Sequence, residues 1–155
     1  MKPITMEPIG VVSSSRTTAF DDFWDQEQAA VVLDESRYSA EALSGIADFS
    51  HVEIVFLMDQ LDPHTVETRR RHPRGNPDWP SVGIFAQRAG GRPNRIGVCV
   101  CRVLRVEGGR LHVEGLDAID GTPVLDIKPW VVEFGPRGTV RQPAWMSELM
   151  TRYWR

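Results

Sequence analysis

The chain has 155 residues, of which 41% are hydrophobic and 25% charged, and a net charge of −3. At about 100 to 200 residues per domain it makes one domain, large enough to bury a core without disulfide or metal staples, and its composition excludes disorder, collagen and coiled coil as global descriptions. No apolar run exceeds the five residues of Ile54–Met58, far short of the roughly 18 residues of a membrane span, and Met1–Gly10 has no apolar signal core, so a cytoplasmic protein is expected.

The charge is unevenly placed. Residues 1–62 carry 12 acids and 3 bases, residues 63–110 carry 3 acids and 10 bases, and residues 111–155 carry 6 acids and 5 bases. An anion belongs in the middle segment. Arginine supplies 16 of the 18 cations, and its planar fork matches phosphate and carboxylate better than the point charge of lysine.

Thr5–Val12 reads as a first strand closed by Ser13-Ser14-Ser15, and Ala29–Leu33 as a second. Ser39 is placed to cap a short helix through Leu43, with Gly45 as its stop. His51–Met58, β-branched and aromatic at its centre, is the clearest strand. Leu61–Ser81 holds four prolines and an Arg-Arg-Arg-His run, keeps neither helical nor strand period, and is expected to be a long loop that acts as an arm or lid. Val82–Phe85 resumes a strand, and Ala89–Arg95 is a second loop. Gly97–Glu107 alternates as a half-buried strand does, and Gly108-Gly109 turns it back into Leu111–Gly115. Cys99 and Cys101, two apart, share one face of that strand, and read as reduced, buried small hydrophobes rather than a redox pair or half a metal site. Asp117–Trp130 combines a turn at Asp120-Gly121-Thr122-Pro123 with an alternating segment. Pro143–Trp154 repeats Trp145, Leu149 and Tyr153 at helical spacing. The expected fold is mainly β, a single-domain barrel over residues 1–140 with one or two short peripheral helices, residues 141–155 being a helical extension of the same domain. No strand is followed by Gly-x-Gly-x-x-Gly, so a doubly wound dinucleotide site is not expected.

Two segments carry more chemistry than structure alone requires. Gly83–Gly97 sets arginines, glycines and Asn94 between strands, which suits close backbone approach to a ligand and capture of an anion, or else a solvated hairpin. Leu116–Trp130 gathers three carboxylates and one of only two lysines around a tight turn. Asp120 there is equally a turn former, and Asp126 equally a partner of Lys128 on the same strand face. Trp79, Trp130, Trp145 and Trp154 are expected to bury area in the core or an interface rather than to stack bases.

Pro8-Ile9-Gly10-Val11-Val12, Asp48-Phe49-Ser50-His51, Gly83-Ile84-Phe85-Ala86, Arg92-Pro93-Asn94 and Asp120–Pro129 occur in that order, and together they resemble the TsaA-like (TrmO) family over roughly residues 6–135. The resemblance implies a β-barrel methyltransferase that uses S-adenosylmethionine to methylate N6 of threonylcarbamoyladenosine beside the anticodon of tRNA, and that forms homodimers. It also implies a cofactor site. Phe85, Ala86 and Leu125 are assigned to its apolar slot, Arg88, Arg92 and Asn94 to its anion contacts, and Asp117, Asp120, Thr122 and Asp126 to its polar wall, with Gln87 a further cofactor-binding residue. His51, Asp120 and Asp126 are the candidate bases, His51 being alternatively a strand-end histidine bonded to backbone. Arg69, Arg70, Arg71, Arg74 and Lys128 are the candidate RNA contacts, the alternative being a solvated basic loop. No resident metal is expected. Gln87, Ala89, Gly90, Gly91 and Arg95 depart from the family's usual loop, which is expected to be looser here. A methyltransferase for a small-molecule acceptor and a non-catalytic adenosyl-ligand or RNA-binding module are the competing readings.

Overall fold

In the computed structural model, which describes residues Met1–Arg155, the strands are β1 (Gly10–Ser14), β2 (Gln28–Leu33), β3 (His51–Leu57), β4 (Arg70–Arg71), β5 (Val82–Gly83), β6 (Ile96–Glu107), β7 (Arg110–Glu114) and β8 (Pro123–Pro129). Six of them close an antiparallel barrel in the order β1-β2-β7-β6-β3-β8, and β4 and β5 form a separate two-stranded ribbon. Alternation decides which face is buried. In β3 the side chains of Val52, Ile54 and Phe56 point inward while His51, Glu53 and Val55 are half-buried on the outer face. Val12, Val31, Cys99, Cys101, Leu111, Val113 and Val124 complete the interior from the other strands. Gly97 sits where a Cβ would come within 2.3 Å of the Phe56 ring, so β6 crosses the largest core side chain at the one position with no side chain of its own.

β6 keeps one face inward only as far as Val103. A bulge between Val103 and Arg105 then shifts the pairing with β7, so that Val106, three residues on, also packs against the core. The two cysteines are free and buried on the inward face, as their spacing implies. β1 departs from expectation: it starts at Gly10, not Thr5, and runs through Ser13 and Ser14. A Cβ at Gly10 would lie 2.2 Å from the Val32 carbonyl oxygen, so strand pairing with β2 begins at the glycine that permits it. Ser39 precedes a 3₁₀ turn, Ala40–Leu43, but its side chain makes no capping bond. Val82–Phe85 is extended only at Val82–Gly83, after which Ile84–Ala86 turns to bury Ile84.

The expected free arm is tied down. Arg70 and Arg71 pair with Gly83 and Val82, Arg74 forms ion pairs with Asp21 and Asp22, and the Trp79 indole N–H donates to Glu148 at 2.9 Å. Glu148 belongs to helix α1 (Ala144–Leu149), which continues as a 3₁₀ turn through Arg152. The carbonyls of Arg152, Tyr153 and Trp154, orphaned at the end of this helical segment, accept from the N–H groups of Phe23, Trp24 and Asp25. No helix is long and apolar enough to cross a membrane.

The 16–27 loop is organised by one buried cation. Arg16 is 7% exposed, its guanidinium carbon lies 3.3 Å from the Trp24 ring centroid and 3.8 Å from that of Phe20, and it donates to the carbonyls of Phe20, Asp22 and Phe23. Glu27 sits 3.5 Å away. Burial lowers the pKa of the guanidinium, and Glu27 opposes that shift. Trp24, at 5% exposure, is thus the buried tryptophan, while the four tryptophans expected to bury area are all more exposed and Trp154 is 37% exposed.

Candidate functional site

The loop from Ile84 to Arg95 is packed rather than loose. A Cβ on Gly90 would meet Leu61 Cδ1 at 2.7 Å, and one on Gly91 would meet the Thr65 carbonyl oxygen at 2.8 Å. The two glycines therefore draw the loop against the 58–65 turn, where Glu67 N–H donates to Gly91 and Met58 N–H to Arg95. Gln87, 4% exposed, donates through its side-chain amide to the carbonyls of Arg71 and Val82, and the Arg92 guanidinium donates to the Gln87 carbonyl at 2.8 Å. Gln87 thus holds the loop to the arginine ribbon and is not an open ligand contact. Phe85 stands 75% exposed beside Ala86, and the Arg92 guanidinium lies 5.9 Å from its ring centroid. Arg88 reaches along β6 to the Val98 carbonyl at 2.8 Å, and Asn94 is exposed.

Charge is concentrated at this loop. Of the arginines from Arg69 to Arg95, only Arg74 forms an ion pair; Arg70, Arg88, Arg92 and Arg95 donate to neutral oxygens and retain other N–H groups. Arg74 is the one member of this group whose charge is matched by carboxylates, those of Asp21 and Asp22.

The Leu116–Trp130 segment does not form one wall. Asp120 accepts from Ser14 N–H at 2.9 Å, and its carbonyl accepts from Gln60 Nε2, so it braces the turn at the far end of β3. Thr122 is 3% exposed and bonded through its backbone. Asp126 and Lys128 lie on the outer face opposite Val55 and Glu53, with Lys128 Nζ 2.6 Å from Asp126; that pairing raises the lysine pKa. Asp117 accepts from the Tyr153 hydroxyl, while its other oxygen is buried without a partner. The helical spacing of Tyr153 is legible in the sequence, but nothing there points to its contact with Asp117.

His51 lies at the opposite end of β3 from Asp120, a separation of about 20 Å for a strand of this length. The two do not act on one atom within a chain. His51 Nδ1 is 2.9 Å from Ser50 Oγ, a side-chain rather than backbone partner, and the ring lines a cleft of about 510 Å³ with Asp25, Val100, Arg102, Glu114 and Trp154. Sequence reasoning misses this cleft because its residues come from β3, β6, β7, the 16–27 loop and the terminal helical segment.

The tRNA-methyltransferase O N-terminal domain matches residues 20–135. The chain belongs to that family. It is 48% identical over 93 residues to the "Putative S-adenosylmethionine-dependent methyltransferase RcsF" of Pseudomonas aeruginosa, covering 59% of this chain and 39% of that protein. It is 37% identical over 102 residues to the human "tRNA (adenine(37)-N6)-methyltransferase", covering 66% of this chain and 23% of that protein. An "S-adenosyl-L-methionine-binding protein" of Archaeoglobus fulgidus is 36% identical over 133 residues, covering 83% of this chain and 90% of that one. The crystal structure of TrmO from P. aeruginosa superposes with a TM-score of 0.74 and 32% identity, over 94% of this chain and 62% of that chain. The chain therefore spans well under half the length of its human and Pseudomonas sequence relatives. The TrmO-family match takes in β2 to β8, His51 and both ligand-suited segments, and leaves the terminal helix outside.

Proposed function

We propose that the chain methylates N6 of threonylcarbamoyladenosine beside the anticodon of tRNA, with S-adenosylmethionine as methyl donor and tRNA as partner. The observation that carries this reading is the group of arginines around the Phe85 loop that meet no carboxylate, on a barrel of the tRNA-methyltransferase O family. RNA phosphates and the cofactor's carboxylate are the anions such donors suit. The residues also fit the rest of the cofactor. Exposed Phe85 and Ala86, with half-buried Leu125, offer apolar contact for adenine; Arg88, Arg92 and Asn94 offer donors; Asp117, whose buried Oδ1 has no hydrogen-bond partner, supplies negative charge toward a sulfonium. Gln87 and Thr122 shape the site from behind it.

When bound, S-adenosylmethionine supplies an electrophilic methyl group. The acceptor N–H loses a proton as the new bond forms, and positioning supplies much of the rate. His51 is the base we assign. Its Nδ1 shares a hydrogen bond with Ser50 Oγ, and in the tautomer that carries the proton on Nδ1 the Nε2 lone pair is free to accept a proton. Asp120, which accepts from Ser14 N–H at the other end of β3, and Asp126, paired with Lys128, are not assigned as bases. A tRNA acceptor places the protein in the cytoplasm. The exposed Phe85 is part of the case for a homodimer in which a second copy covers it, and light scattering at micromolar concentration reads that state.

The deciding experiment is mass spectrometry of tRNA nucleosides after incubation with the protein and S-adenosylmethionine. A methyl group on threonylcarbamoyladenosine is expected. Methyl transfer to small molecules alone, or cofactor binding with no transfer, would replace this reading with one of its competitors.

The same reading predicts which arginines meet phosphate. Replacing Arg69, Arg70 and Arg71 together should flatten the salt dependence of tRNA binding by roughly one unit of log–log slope for each phosphate no longer neutralised. Arg74→Ala should leave the slope as it was. Equal effects from both variants would show that the arginines act as an undifferentiated field.

A further inference from the structure

The cleft beside His51 is not explained by cofactor binding. Its floor is the outer face of β6, where Val100 and Arg102 project outward, and its sides are Glu114 at the end of β7, Asp25 from the Arg16-organised loop, and Trp154. Trp154 has a hydrogen-bonded backbone, its carbonyl accepting from Asp25 N–H, and its indole meets the Tyr153 ring edge-on at 4.9 Å between centroids. Yet it remains 37% exposed. A large aromatic fixed on the wall of an open, polar cleft is preorganised for a flat ligand, because stacking on it needs no ordering of a mobile side chain.

The polar groups narrow the ligand. Arg102 is bound to Glu114 through one guanidinium nitrogen, leaving further N–H donors, and Arg155 adds a second cation at the rim. Asp25 and Glu114, the latter also accepting from Gln28 Nε2, are acceptors only, which suits the two-proton exocyclic amino group of adenine, guanine or cytosine, whereas uracil has no amino group and offers only its ring N3–H. A stacking face, cations for a phosphate and carboxylates for a base amine in about 510 Å³ describe one nucleotide. The cleft also adjoins the cofactor loop: Arg88 of that loop bonds the Val98 carbonyl, two residues along β6 from Val100.

We propose that this cleft is a nucleotide subsite for RNA, in which Trp154 stacks an unpaired, amino-bearing base of the substrate beside His51. The inference rests on the reading of the chain as a tRNA methyltransferase and adds to it a residue outside the family match.

The test uses the full chain and oligoadenylate and oligouridylate of about ten nucleotides, with binding read by fluorescence anisotropy. Wild-type protein should favour oligoadenylate. Trp154→Ala should weaken oligoadenylate binding by about 5- to 150-fold, the range expected for removing one base stack, and Trp154→Phe should restore most of it. Val100→Glu, on an exposed outward position, should weaken it as well by setting a negative charge on the cleft floor, and this keeps the test open if the tryptophan variant unfolds. Calorimetric binding of S-adenosylmethionine should be unchanged in all three. Unaltered RNA affinity in Trp154→Ala and Val100→Glu overturns the subsite, whether or not tRNA is methylated. Equal wild-type binding of the two oligonucleotides overturns the assignment of the carboxylates. A wild-type protein that binds cofactor but methylates no tRNA defeats the functional reading instead, and the two failures are thereby told apart.

Discussion

Arg16→Ala is expected to destabilise the fold by about 3 kcal/mol, read as a lower urea midpoint or melting temperature. Three carbonyls, those of Phe20, Asp22 and Phe23, lose their donor, Glu27 loses its partner, and the rings of Trp24 and Phe20 lose the plane between them. A fully buried acceptor left unpaired costs about 1 to 3 kcal/mol; these three are part-buried and water reaches some of them, but together with the lost ring contacts the effect exceeds that of an ordinary surface arginine. Arg16→Lys should recover little. An ammonium has neither the flat face that lies 3.3 Å from the indole centroid nor the fork that reaches three carbonyls. A loss under 1 kcal/mol in Arg16→Ala, roughly the worth of a single net hydrogen bond, would mean that the loop holds its shape through Trp24 burial alone.

The second large effect is alkaline destabilisation. Burial, followed by the charge and hydrogen bond of Asp117, pushes the Tyr153 phenol up. The hydrogen bond with Cys101, then burial, pushes the Cys99 thiol up. Both groups keep their protons in the native state at a pH where the unfolded chain releases them. Stability is therefore fully present below the ordinary thiol and phenol values, about 8.5 and 10, and falls as pH rises beyond them, by about 1.4 kcal/mol per pH unit for each group that has passed its own threshold. Urea midpoints should decline steadily above about pH 9, steepening near pH 10. Tyr153→Phe should remove the steepening and cost about 1 to 3 kcal/mol at neutral pH by taking the hydroxyl from Asp117. A midpoint that stays flat to about pH 11, or a steepening that survives Tyr153→Phe, would contradict the assignment.

What is legible in the sequence is what alternation and turn chemistry encode. β3, the β6–β7 hairpin and the inward pair Cys99 and Cys101 follow from period two and Gly108-Gly109, and a barrel follows from many short strands with little helix. β1 begins later than its composition suggests because Thr5 and Ile9 are β-formers and the serines look like a turn, whereas its limit is set by the approach of Gly10 to Val32, a partner more than twenty residues away. In the Phe85 loop the glycines suggest backbone freedom; their use is close approach to Leu61 and Thr65. Asp120 and His51 go together by residue type, and only the length of β3 separates them. The Arg16, Phe20 and Trp24 arrangement is not legible in the sequence, because the stretch between β1 and β2 reads only as an acidic loop and nothing in it marks a buried cation at its centre.

Barrel closure joins Gly10 to Val124 and Val11 to Pro123, the strands farthest apart in the chain. Rates of folding fall as contacting residues become more distant in sequence, since the entropy of closing a long loop is lost before the contact repays it. During synthesis β1 can pair with β2 early, but its other edge has no partner until β8 has left the ribosome, more than a hundred residues later. For that interval the nascent sheet carries an open edge of backbone donors and acceptors, the form most prone to pairing with a neighbouring chain. Pro8, just before β1, has no N–H to offer such a neighbour, and Pro123 gives the arriving strand one donor fewer at its first residue, so the seam is also where the sequence does least to template a foreign strand.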